Sequence, residues 1–264
     1  MGEFCMSTIS DNTARNLRQF NLVMGIIHLI QGVVMLAISD LDFKLPVTTA
    51  FLEYNEASDQ LVSKLETAFK LPLAPMVVAF LFLSSFAHFS IVSPGIFSRY
   101  IRNLQKGTNY ARWVEYAFSS SIMIVAIAML FGMYDMATLL LIFALNAMMI
   151  LFGWMMELHN QTTEKTDWTA FIFGSIAGIV PWIAIGIYFV GSVTSGEQVP
   201  AFVYAIYVSL FVFFNIFAVN MVLQYKKVGP WQNYIFGEKM YIVLSLVAKS
   251  LLAWQVFFGT LQPN

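Results

Sequence analysis

Leu244-Ser245-Leu246-Val247-Ala248-Lys249-Ser250-Leu251-Leu252 lies at the middle of the last apolar run, Ile235 to Phe258, and puts a lysine where a membrane-spanning helix would be deepest. A lysine there costs roughly 2.5 to 3.5 kcal/mol on insertion scales, so it should face the interior of a helix bundle and have a partner. It reads as the one cation deep inside a span, with Arg112 and Lys239, near the ends of theirs, counted to the cytoplasmic side. Two uses are open. One is a structural ion pair; the other is covalent, because a desolvated lysine can present the neutral amine that condenses with an aldehyde. Ser245 stands four residues earlier on the same helical face, and helical side chains lean toward the N-terminus, so the amine reaches back over that serine.

Working outward, the 264 residues are 59% hydrophobic and 11% charged, which excludes a soluble globular domain. Seven apolar runs are long enough to cross a bilayer: Phe20 to Ile38, Leu73 to Ile96, Tyr110 to Phe131, Met136 to Met156, Trp168 to Val190, Phe202 to Tyr225 and Ile235 to Phe258. Backbone groups in lipid must be bonded internally, and the alternation of a membrane β-barrel is missing, so these runs read as helices. The expected fold is all-α, a single seven-helix membrane domain over residues 1–264 with one long connection, 39–71. A net charge of -1 with dispersed basic residues argues against a nucleic-acid partner. Cys5 is the one cysteine, so no intrachain disulfide is expected. Met1 to Cys5 reads as a leader ahead of a natural start at Met6, with no cleavable signal.

Lys and Arg fix the expected orientation, since cytoplasmic segments are enriched in them. The N-terminal segment and the connections after spans two, four and six hold ten: Arg15, Arg18, Arg99, Arg102, Lys106, Arg112, Lys165, Lys226, Lys227 and Lys239. The other side holds three, Lys44, Lys64 and Lys70, all in the long connection beside six acids. The N-terminus should therefore be cytoplasmic, the C-terminus extracellular, and the connection 39–71 extracellular.

Polar residues inside the spans outline a candidate site. His28 and Gln31 share a face of span one, and Ser84 and His88 share a face of span two. Span three opens with Arg112-x-x-Glu115, and Glu115 is the acid to pair with Lys249; no other span offers an obvious one. Asn146 in span four, and Asn215 and Asn220 in span six, stand among apolar residues, where an Asn more often bonds a neighbouring helix than a ligand. His159 reads as interfacial. At 1.5 Å per residue, His28, Gln31, His88, Glu115 and Ser245 fall at or on the cytoplasmic side of the Lys249 level, while the outer halves of spans three, four and seven are almost wholly apolar. A transmembrane ion path would need polar groups on both sides. There is no HExxH, no Cys/His ligand spacing, no phosphate loop and no hydrolytic motif, so neither a metal site nor turnover catalysis is expected.

A seven-helix chain with a lone lysine in its last span and Arg112-x-x-Glu115 opening the third resembles the microbial rhodopsins. The inside N-terminus, the Ser245-x-x-x-Lys249 spacing and a glutamate with His28 and His88 make it similar to the heliorhodopsins. The resemblance covers the whole chain. It implies retinal on Lys249 as a Schiff base, all-trans in the dark, with Glu115 as counterion. It further implies that His28, Gln31, Ser84, His88 and Ser245 line a hydrated cytoplasmic-side cavity, with Asn146, Met149 and Phe214 in the pocket. The implied function is a light sensor in the cell membrane, a homodimer through the long extracellular connection, signalling by conformational change through an unidentified partner without net ion pumping. The alternative is a light-driven or light-gated ion transporter or channel.

Overall fold

Asp11–Ile38 (α1) opens the fold: Ser10 caps its first turn, its hydroxyl accepting from the Thr13 amide at 3.3 Å. The computed structural model describes residues 9–195 and 199–263; Cys5 lies outside them. Six further long helices follow: α2 (Leu73–Val92), α4 (Tyr110–Leu130), α5 (Met136–His159), α6 (Thr169–Thr194), α7 (Ala201–Tyr225) and α8 (Tyr234–Val256), the last continuing as one wider turn to Leu261. All seven are long and apolar enough to span a bilayer, and the chain is a seven-helix bundle. Their ends fall within a few residues of the apolar runs except at the start of α1, whose polar first turns, Asp11 to Gln19, extend the helix beyond the hydrophobic stretch.

Two connections are more ordered than hydropathy alone shows. Ile96–Gln105 forms an amphipathic helix, α3, after a Gly95 turn at φ +83°, and it buries Tyr100 and Leu104 beside the start of α4. The connection read as a loop, 39–71, is an antiparallel hairpin of β1 (Lys44–Asn55) and β2 (Gln60–Pro72), with an irregularity at Val47/Thr48. Period-2 alternation explains it: Leu52, Tyr54, Leu61 and Leu65 share one exposed face, while Lys64 bridges Glu53 at 3.0 Å and Glu66 at 3.1 Å on the other. Its base is fastened to the bundle where the Thr48 amide donates to the Tyr134 carbonyl at 2.8 Å and Val47 is buried.

α4 is the most deeply buried span and lies between α2 and α5. Toward the hairpin end, Met123, Ile124, Ile127, Ala128 and Met129 join Val77, Leu81, Leu252 and Val256 in a continuous apolar core. Toward the opposite end, which carries the N-terminus and α3, the same helices turn polar inside, with Arg112, Glu157, Glu238, Asn21 and His88 buried. The bundle is thus divided along its axis.

The short turn joining α4 to α5 is held by a cap. Asp135 accepts from the Thr138 hydroxyl at 2.7 Å and its amide at 2.8 Å, and the hydroxyl bond is the larger cause of a carboxyl held below its ordinary range. Because the folded value lies below the unfolded one, the contribution is complete above about pH 4 and is lost as pH falls through the lowered value. Asp135→Ala should cost about 0.5 to 2 kcal/mol at neutral pH, read as a lower thermal unfolding temperature in detergent, and the difference from wild type should vanish in acid.

Candidate functional site

Lys249 sits four helical turns into α8 with its side chain 3% exposed. Its Nζ donates to Glu115 Oε1 at 2.8 Å and to Ser245 Oγ at 2.8 Å. The same Glu115 oxygen accepts from Ser84 Oγ at 2.6 Å, so α2, α4 and α8 are pinned at one carboxylate. A charge pair this deep is kept only when each partner is compensated and bonded, and here both conditions hold. The lysine is also 5.2 Å from the centre of the Tyr116 ring, whose hydroxyl donates to the Tyr241 carbonyl at 2.7 Å.

Two cavities meet at this pair. The larger, about 400 Å³, lies between α4, α5, α6, α7 and α8 and ends at Lys249, Ser245 and Ala248. Its walls are mainly aromatic and thioether groups, among them Trp113, Met123, Met149, Trp182, Phe214 and Phe217. Trp182 packs edge-on against Phe214 with ring centres 5.4 Å apart. Gly178 gives the space its shape, since a Cβ there would run into the sulfur of Met149. The smaller cavity, about 30 Å³, lies toward the N-terminal end and is walled by Asn21, Ser84, His88, Arg112, Glu115 and Ser245 among others, which is room for a water or two among polar partners.

The expected residues are distributed around these spaces. Ser84, Glu115, Ser245 and Lys249 form one bonded chain, and His88 joins the small cavity, where its Nδ1 meets Asn21 Oδ1 at 2.8 Å. His28 stacks on His88, ring centres 5.8 Å apart, and neither of its ring nitrogens has a hydrogen-bond partner among the described residues. Gln31 is not a lining residue of either cavity, and its Oε1 is buried without a partner among the described residues. Met149 and Phe214 line the large cavity. Asn146 stands behind its wall, where its Nδ2 holds Ser120 Oγ at 2.8 Å and Ser121 Oγ at 3.0 Å, and Ser120 faces the space. Asn215 also lines it, with its Nδ2 bonded to the Phe211 carbonyl at 2.8 Å. Asn220 instead ties α7 to α8 through the Gly237 carbonyl, and His159 is exposed beside Asp167.

Two expectations are corrected. Arg112, in the first turn of α4, does not reach out to solvent: it is 5% exposed, between the rings of Trp113 and Tyr241. Nor is Glu115 the one acid available in the spans, because Arg112 is bonded to Glu157 of α5 and Glu238 of α8, both buried. All three lie near the ends of apolar runs, where a charge is tolerated in headgroups and so gives no signal of burial. The clue in the sequence was the matching depth of one cation and two acids at the same end of the bundle.

A largely apolar space with a single amine in its lining fits a long polyene aldehyde, and its volume falls within the roughly 300 to 1,000 Å³ typical of small-molecule pockets. Comparison with protein families matches residues 17–261 to the family described as Heliorhodopsin. The chain belongs to the heliorhodopsin family. Comparison with curated proteins finds no match. Heliorhodopsin membership makes this a retinal-binding rhodopsin photoreceptor and a multi-pass integral membrane protein, which agrees with the seven spans and with a cavity suited to the chromophore.

Proposed function

We propose that the chain is one seven-helix light-sensing unit in which Lys249 carries retinal, all-trans in the dark, and Glu115 is the counterion. The observation that carries this reading is the Lys249 amine held by Glu115 and Ser245 at the end of an apolar cavity of about 400 Å³. Retinal bound there supplies a Schiff-base linkage to the Lys249 nitrogen and a light-driven isomerisation that reorients that nitrogen. The protein's part is electrostatic and steric. Glu115 compensates the positive nitrogen, and Ser84 and Ser245 hold the carboxylate and the amine in register. Trp182, Phe214 and Met149 confine the polyene and exclude water, and Asn146 steadies the wall through Ser120. The small cavity, with Ser84 and His88 in its wall and His28 stacked behind, offers a displaced proton polar groups on one side only.

The ten-to-three distribution of Lys and Arg supports an N-terminus in the cytoplasm and a hairpin outside. The exposed apolar face of that hairpin, with Leu52, Tyr54, Leu61 and Leu65, supports a homodimer. The apolar half between the Lys249 level and the hairpin supports a sensor that signals to a partner by conformational change rather than a pump.

Three measurements test the reading. Lys249→Ala should fold yet stay colourless with retinal, and Glu115→Gln should shift the absorption to longer wavelength as the compensating charge is lost; a normal pigment in the first variant would refute the attachment. A cysteine placed at Asn55 in the hairpin, with Cys5 replaced, should react with an impermeant reagent from the outside only, and labelling from the cytoplasm would reverse the topology. Illuminated vesicles should show no sustained photocurrent, whereas a steady current that disappears in Lys249→Ala would replace the sensor with a transporter.

A further inference from the structure

Arg112, Glu157 and Glu238 make a second buried charged cluster, which the chemistry at Lys249 leaves without a task. Two carboxylates face one guanidinium, so the cluster carries a net charge of minus one when both acids are ionised. It is built to hold that charge. Glu157 accepts from Arg112, from Trp113 Nε1 at 2.6 Å and from the Asn109 backbone amide at 3.1 Å. Glu238 accepts from Arg112, from Asn109 Nδ2 at 2.8 Å and from Gln224 Nε2 at 3.3 Å. All these contacts are donors, which favours two carboxylates, whereas an uncompensated buried charge favours adding one proton. Apart from His88 of α2 and Glu115 of α4 across the small cavity, the titratable groups facing the cluster are phenols: Tyr100 of α3, Tyr116 of α4, Tyr225 of α7, and Tyr234 and Tyr241 of α8. Phenols stay neutral at physiological pH, so none of them supplies the missing positive charge.

The cluster also communicates with the Lys249 pair. Arg112 and Glu115 are one turn apart on α4, and both wall the cavity of about 30 Å³ together with Asn109, His88 and Ser245. A water in that space would bridge the two charged sites.

We propose that the Arg112, Glu157 and Glu238 cluster is a proton-binding site that takes up one proton, on Glu157 or Glu238, from the Lys249 and Glu115 chamber through the cavity between them. The exchange rests on the reading of Lys249 and Glu115 given above. In it an N–H bond at the Lys249 nitrogen breaks with the electron pair left on nitrogen, the proton crosses by way of Glu115 and the cavity, and an O–H bond forms on a cluster carboxyl. The chamber goes from neutral to minus one and the cluster from minus one to neutral, so total charge is conserved.

Infrared difference spectroscopy tests it, first on the retinal-free protein. A pH titration should raise a protonated-carboxyl C=O band that is lost in Glu157→Gln or Glu238→Gln and kept in Glu115→Gln. No such band over the range in which the protein stays folded, or a band untouched by both variants, overturns the site. Should the Gln variants not fold, Trp113→Phe removes one donor without changing charge, and its midpoint should move to higher pH by about one to two units; an unmoved midpoint overturns the proposal. With retinal bound, light should produce the same band, and its absence from a pigment that otherwise completes its cycle overturns the exchange. A chain that forms no pigment refutes the reading of Lys249 instead, and the retinal-free titration still reports on the cluster.

Discussion

The bond between Lys249 and Glu115 is the constraint on which the arrangement of the bundle depends. Either group alone would be an uncompensated charge inside hydrocarbon, and breaking a buried pair by removing one member commonly costs about 3 to 5 kcal/mol. Together they force α4 and α8 into contact at one depth, and Ser84 draws α2 to the same carboxylate. α4 and α8, braced from behind by α2, form one side of the large cavity. α5, α6 and α7 close the other side with apolar side chains that need no fixed partner.

Much of this was legible because a charge within a hydrophobic run has few explanations. Lys249, Glu115, Ser245, Ser84 and His88 stand at helical spacings that put them on interior faces, and the structure brings them together. The Arg112 cluster was not legible in the same way. Arg112, Glu157 and Glu238 lie where hydropathy cannot distinguish a buried end from a solvated one, and only the packing of α3 and α8 around them decides it. The hairpin was missed for another reason. Its strands mix Leu, Tyr, Glu and Lys at period 2 beside seven runs of far stronger hydrophobicity, and a search tuned to membrane helices passes over that alternation. Asn146 shows a third limit: a residue's depth can be counted along a helix, but which face it turns to a cavity depends on how far the helix rotates against its neighbours.

Two buried charged sites in one half of the bundle, with an apolar half beyond them, make the interior electrically asymmetric. Polar groups such as Asn21, His88 and Arg112 and the cavity of about 30 Å³ gather toward the N-terminal end, whereas side chains such as Ile124, Ile127 and Leu252 fill the other. Charge movements started at Lys249 are therefore guided along one direction by solvation alone.

α6 gives the cavity a wall of a different mechanical kind. Gly174, Gly178 and Pro181 lie along it within two turns, and proline contributes no amide to the helical ladder. The opposite walls are stiffened by ion pairs and by rings packed on Arg112. The wall that α6 supplies carries no ion pair of its own, and its outer face, with Ile172, Ile176 and Ile183, is exposed. A change of shape in the cavity would load α6 before α4 or α8, an ordering that amide hydrogen exchange resolved helix by helix would register.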